Sequence, residues 1–451
     1  MVILRQIPQN YLFSKIDLKK LIVPLVIEQF LTIAVGLIDS MMVASVGESA
    51  VSAISLVDTV NILIINIFTA LATGGAVVAG QYIGMKQEHN SCKAANQTLI
   101  FTTLIALFVM IIVYVLKNFI LHTVFGQIED DVANYANTYL LIVSASIPFI
   151  GMYNAGAAIF RAMGHSKVSM NTSLIMNLVN IVGNAILIYG FHMEIAGAAI
   201  PTLISRIVAA VVIVVRLGNQ DLQIHIDRPF KLKFDWRMIK KILRIGIPNS
   251  LENSMFQLCK ILVLTIVTAF GTRAITANAV SNTIAMFQIL PGMAICQAIL
   301  TVSSQCVGAN DYKQLDFYIK RLMKTIYVFV VAINVVVVAI LPLILKAYNL
   351  SSETTDIAKQ IIWYHAICTC TIWPFSFALP NSLRAANDVM FTMIVAILSM
   401  WIFRIGASVV IAKWLGFGVL GVWIAMTIDW FVRAIIFVIR YKYKIKSKCK
   451  I

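Results

Sequence analysis

Two carboxylates stand inside an apolar run near the start of the chain. They are Glu28 and Asp39, in Leu18 to Ser45 (LKKLIVPLVIEQFLTIAVGLIDSMMVAS). An ionised carboxylate at the centre of a bilayer costs at least ~2.5 kcal/mol, so residues of this kind usually have a function. On a helix the two share a face, ~16 Å apart along the axis. Pro24 lies one turn before Glu28, where it removes a backbone donor and permits a bend. Glu28 could instead be neutralised by a lysine or hydroxyl nearby and only hold helices together. A second polar set is Asn177, Asn180 and Asn184. Spacings of three and four place their amides on one helix face. Such amides either join helices, at ~0.6–2 kcal/mol each, or turn their carbonyl oxygens to a hard cation.

The elements that must carry these groups are membrane spans. The chain has 451 residues, 60% hydrophobic and 12% charged, with a mean hydropathy of +0.88. Soluble domains run near 25% charged, so this is a membrane protein. Twelve stretches are long enough to cross: 18–45, 53–79, 94–116, 132–156, 168–190, 195–217, 241–268, 275–303, 321–345, 357–379, 389–412 and 418–440. None alternates like a barrel strand, so the expected fold is an all-α polytopic bundle. With these limits, Asp39, Asn184 and Thr202 each lie ~9–11 Å below the outer surface. One carboxylate, two or three amide oxygens and a hydroxyl at one level would suit sodium or a proton.

The net charge of +16 could point to nucleic acid, but its distribution points to topology. With a cytoplasmic N-terminus, the inner loops hold most of the lysines and arginines. The outer loops hold Glu48, Glu129, Asp130, Asp131, Glu194, Glu353 and Asp356. That is the positive-inside pattern, and it places both termini in the cytoplasm. No nucleic-acid partner is expected, and the basic tail from Arg440 should lie on anionic headgroups. No cleavable signal peptide is visible. The seven cysteines are scattered and form no disulfide or metal framework, and His365 reads as a hydrogen-bonded core residue. No HExxH, GxSxG or phosphate loop appears, which argues against an enzyme. No cofactor and no resident metal are expected, beyond sodium at Asp39.

The chain is also duplicated. Pro24 and Glu28 match Pro248 and Glu252 at an offset of 224, and GESAVSA from Gly47 matches GTRAITA from Gly271. Gln81 and Gly84 match Gln305 and Gly308; Gly197 matches Gly421; Arg161-Ala matches Arg384-Ala at 223. Six spans per half make the repeat parallel, with two pseudo-symmetric six-helix bundles about an axis along the membrane normal. The expected domains are therefore 1–217, a cytoplasmic linker 218–240, and 241–451 with its basic tail. Glu28 and Glu252 then become candidates for the substrate cleft between the halves, and Pro24 and Pro248 for helix bends.

Several motifs together resemble the multidrug and toxic compound extrusion (MATE) family. They are Pro24 with Asp39, the GQYIG and SQCVG ends of the second and eighth spans, the FRAMG run from Phe160 and the GAA run from Gly197. The resemblance covers nearly the whole chain and implies a V-shaped pair of lobes. It also implies export of drug-like organic compounds, often cationic, at the plasma membrane, by antiport with sodium ions or protons. It places the family's cation site on Asp39, Asn180, Asn184 and Thr202. Many relatives carry an aspartate where this chain has Asn184. A monomer is expected, with small organic substrates and membrane lipid as its partners. The alternative reading is a lipid or lipid-linked oligosaccharide flippase of related architecture. It would require a strongly basic cleft, against Arg206, Lys260 and Arg404 as the intramembrane cations.

Overall fold

The computed structural model describes residues 8, 11–126, 128–226 and 234–450. Among them, ten helices are long and apolar enough to cross a membrane. Two bent pairs, at 47° and 59°, bring the number of crossings to twelve if each pair is one span. In chain order the helices are α1 (Lys15–Ala44), α2 (Glu48–Gly84), α3 (Glu88–Val115), α4 (Asp130–Ser144), α5 (Ile147–Ala162), α6 (Ser166–Gly190) and α7 (Ala196–Leu217). After the connection come α8 (Trp236–Thr268), α9 (Thr272–Gly308), α10 (Tyr312–Ala347), α11 (Ser352–Thr371), α12 (Pro374–Ala385), α13 (Val389–Trp414) and α14 (Gly418–Lys444).

The two bends have a chemical cause. Pro148 is the second residue of α5 and Pro374 the first of α12. A proline lacks the amide hydrogen and its ring clashes with the carbonyl four residues back, so the crossing breaks there. By contrast α1 and α8 run unbroken through Pro24 and Pro248. Several helices outrun their apolar stretch: α2 and α9 each have 37 residues, or about 55 Å. Backbone hydrogen bonding continues after hydropathy stops, which is why apolar limits underestimate these helices. The short links into α2 and α9 each need a left-handed residue, and the repeat supplies Gly47 (φ 137°) and Gly271 (φ 83°).

By proximity the chain divides into two compact units. One is Val23–Ser250; the other is Leu251–Ile451 with the residues preceding Val23. The division is displaced from the repeat. It falls inside α1 and inside α8, two residues from Pro24 and from Pro248. Local contacts explain the displacement. Ahead of α1, the Phe13 backbone amide donates to the Tyr318 hydroxyl at 2.8 Å, and that hydroxyl donates to the Phe13 carbonyl at 2.7 Å. The start of α8 is held on α2 and α3 in the same way. Lys93 Nζ lies 2.5 Å from Asp235 Oδ2, and a Cβ on Gly74 would meet Ile242 O at 2.7 Å. The Lys93 contact holds the Asp235 carboxyl below the usual carboxylate range.

Within Val23–Ser250, α2 packs on α3 and α5, and α6 on α7. Val57, Phe68, Tyr139, Leu140 and Val143 form its buried core. In the other unit α9 packs on α10 and α11. There His365, 3% exposed, lies with Nδ1 2.5 Å from Gln288 Oε1, a hydrogen-bonded core residue.

Candidate functional site

Asp39 sits near the end of α1, one turn past the exposed Gly36. Its Oδ1 accepts from the Asn184 side-chain nitrogen across to α6. One turn earlier on α6, Asn180 Nδ2 donates to Thr202 Oγ1 of α7 at 3.1 Å. The four residues thus form two polar pairs stacked along one face of α6. Asn180 and Asn184 are four apart, so their amides superimpose on that face. Beyond Asn184 the helix loosens into a wider turn, Ala185–Gly190. Turns of this kind recur at functional sites because they re-aim side chains.

The carbonyl oxygen of Asn184 is buried and has no hydrogen-bond partner, although Asn184 is 0% exposed. Leaving a buried acceptor unmade costs ~1–3 kcal/mol, so this atom is available to a cation. Rotating the amide would set that oxygen beside the Asp39 carboxylate. Two oxygens cannot face each other there without a cation or a proton between them.

Asp58 and Arg206 stand behind this pair. Asp58 neighbours Asp39, accepts from Asn61 Nδ2 at 3.5 Å and has Arg206 and Tyr139 beside it. Arg206 Nη1 donates to Ser146 Oγ at 2.7 Å. Two acids against one cation leave this region one negative charge in excess.

Glu28 and Glu252 are placed differently. Glu28 is 7% exposed. Its Oε1 lies 3.4 Å from Arg161 Nη1 and 3.0 Å from Ser169 Oγ. Glu252 is 9% exposed and receives Arg384 Nη2 at 2.5 Å, while Asn381 accepts from Arg384 Nη1 at 3.0 Å. In each unit the first-helix glutamate is closed by the arginine of the matching Arg-Ala motif. Sequence reasoning found all four members and did not join them. The signal was there: the glutamates recur at an offset of 224 and the arginines at 223.

Comparison with known proteins agrees with the repeat. The MatE family model matches twice, over residues 24–186 and 248–410. The matches begin at the two helix prolines, Pro24 and Pro248, an offset of 224 (248 minus 24). The chain is 27% identical over 430 residues to the uncharacterized transporter YisQ of Bacillus subtilis (strain 168), covering 94% of this chain and 93% of that protein. It is 25% identical over 440 residues to the probable multidrug resistance protein YoeA of the same strain, covering 95% and 93%. In structure it superposes on an outward-facing multidrug resistance MATE family transporter of the MOP superfamily. The TM-score is 0.89, with 20% identity and 96% of each chain covered. With the family model matched in both halves and twelve crossings available to the fold, the chain belongs to the MatE family of multidrug efflux transporters.

Proposed function

We propose that this chain is a secondary active antiporter that exports small organic compounds in exchange for sodium ions or protons bound at Asp39. The observation that supports this most is the Asp39–Asn184 contact beside an unpartnered amide oxygen. It is an acid within a span, reached by a second helix and, among the described residues, holding no basic partner within ion-pair distance. Asn180 and Thr202 complete the oxygen set one turn away.

In this reading the ion enters from outside, and its arrival lets α1, α6 and α7 repack. The flexing points are Pro24 in α1 and Pro248 in α8, beside which the compact units divide. Exchange requires that ion and substrate prefer different states of the protein, since a ligand with equal affinity for both shifts nothing. Glu28 and Glu252, each paired with an arginine, have no net charge to offer an organic cation, so we assign them to holding helices together. Within the spans of Val23–Ser250, Asp39 and Asp58 outweigh Arg206 and supply an attraction for cations. The basic tail and loops set both termini in the cytoplasm, with the protein in the plasma membrane as a monomer among lipids.

The test is efflux from proteoliposomes under separately imposed sodium and proton gradients. One of the two gradients should drive transport by the parent protein. Asp39→Asn should abolish that drive while eluting as the parent does. Undiminished gradient-driven efflux by Asp39→Asn would overturn the assignment.

A further inference from the structure

The repeat allows each polar position of the first half to be looked up in the second. At the offset of 224, Asp39 corresponds to Val263, Asn180 to Arg404 and Asn184 to Ser408. The acid is gone, and one amide has become an arginine. Lys260 stands one turn before Val263, on the same face of α8. Where the first half carries a carboxylate among amides, the second carries two cations.

We infer that Leu251–Ile451 holds an anion-binding site at Lys260 and Arg404, which takes the carboxylate, sulfonate or phosphonate group of an organic substrate. This rests on the export reading and names the charge of the compounds involved.

The geometry supports a ligand rather than a self-contained pair. Lys260 Nζ and Arg404 Cζ each lie 5.1 Å from the centroid of one aromatic ring, Phe256. Phe256 and Val263 of α8 and Ile405 of α13 pack against one buried cluster, Cys259 of α8 with Ala396 and Met400 of α13, so the ring is set by a contact between these two helices. Behind Arg404, the fully buried Asp429 is already engaged. It receives Arg433 Nη2 at 2.8 Å and Ser399 Oγ at 2.6 Å, with Arg404 Nε farther off at 3.9 Å. Asp429 can balance one of these cations. Glu252 and Arg384 cancel each other. Among the described residues this leaves Lys260, Arg404 and Arg433 against one carboxylate, a surplus of two positive charges.

That surplus is costly unless something answers it. Arg404 is 6% exposed, and its Nη1 is buried with no hydrogen-bond partner. Lys260 is exposed, and none of the described carboxylates pairs with it. Lysines within spans almost always face the bundle interior or a water-filled cavity rather than lipid. Two like charges on one ring repel each other until an anion joins them. Arginine offers a planar fork that matches carboxylate, sulfonate and phosphate oxygens, and lysine adds a compact charge. Arg404 also lies in a wide-turn segment, Met400–Gly406, which has no counterpart in the first half; the loosened turn after Asn184 corresponds to Val409–Trp414 instead.

The experiment is equilibrium binding to the full-length protein in phosphatidylcholine nanodiscs, read by fluorescence anisotropy. The probes are carboxyfluorescein as the anion and ethidium as the cation. Because no gradient is applied, failure of the antiport reading would show in vesicle efflux and not here. Lys260→Gln and Arg404→Gln should each weaken carboxyfluorescein at least tenfold and leave ethidium within about twofold. Lys260→Arg should restore the anion. If Arg404→Gln does not fold, Lys260→Gln decides alone, since among the described residues the lysine has no ion pair to lose. The inference is overturned if carboxyfluorescein does not bind the parent protein, or if Lys260→Gln leaves its affinity within threefold. Equal loss of both dyes would also overturn it. Displacement of the dye by added phosphatidylglycerol, dependent on Lys260, would assign the cations to a lipid headgroup and overturn the substrate assignment.

Discussion

Replacing Arg384 with methionine isolates the role of the glutamate in α8. The parent pair is close, 2.5 Å, with the two side chains only 14% and 11% exposed. Glu252 Oε2 has no other partner. Removing the arginine therefore leaves an uncompensated carboxylate, and breaking a buried pair this way costs about 3–5 kcal/mol. At about 2–4 °C per kcal/mol for a unit of roughly 200 residues, Arg384→Met should lower the midpoint of thermal unfolding by about 6–20 °C. Arg384→Met combined with Glu252→Leu should recover most of the loss. The assay is heating in detergent, followed by the surviving monodisperse peak on size exclusion. A single variant within about 2 °C of the parent at pH 7 would refute the structural role. So would a Glu252→Gln variant that loses cationic probes tenfold with no thermal change.

Arg161→Met should be milder than Arg384→Met, because Glu28 keeps the Ser169 hydroxyl at 3.0 Å, and a hydrogen bond to a charged group contributes ~1.5–3 kcal/mol; the same heating assay compares them. Gly74→Val should destabilise by about 1–3 kcal/mol, since its Cβ would meet Ile242 O at 2.7 Å, whereas Gly36→Ala, with nothing within 4 Å, should not lower the midpoint. Asn184→Asp adds a second carboxylate beside Asp39 and should make ion-driven efflux more steeply pH dependent, since two carboxylates sharing a site titrate apart; an unchanged profile would count against the shared site. Lys93→Ala should raise hydrogen exchange at the start of α8 at neutral pH. The Asp235 carboxyl sits below its ordinary value, so the contact is intact above the carboxylate range and is lost only in acid, where variant and parent should converge.

Hydropathy was enough to place twelve crossings because a bilayer forces any spanning backbone into closed hydrogen bonding, and only length and polarity decide. Spacing was enough to find the repeat, the asparagine face of α6 and the acid in α1, since these are one-dimensional patterns. What needed the fold was partnership. Glu28 and Arg161 are 133 residues apart, as are Asp39 and Asn184 by 145, and no local rule says which acids meet arginines and which meet amides. The first case closes a charge and the second leaves one open, though both look alike in sequence. The same holds at the other end: Lys260 and Arg404 share a ring only because α8 packs on α13. Helix packing, which joins residues by shape across long stretches of chain, decided where this protein keeps its unpaired charge.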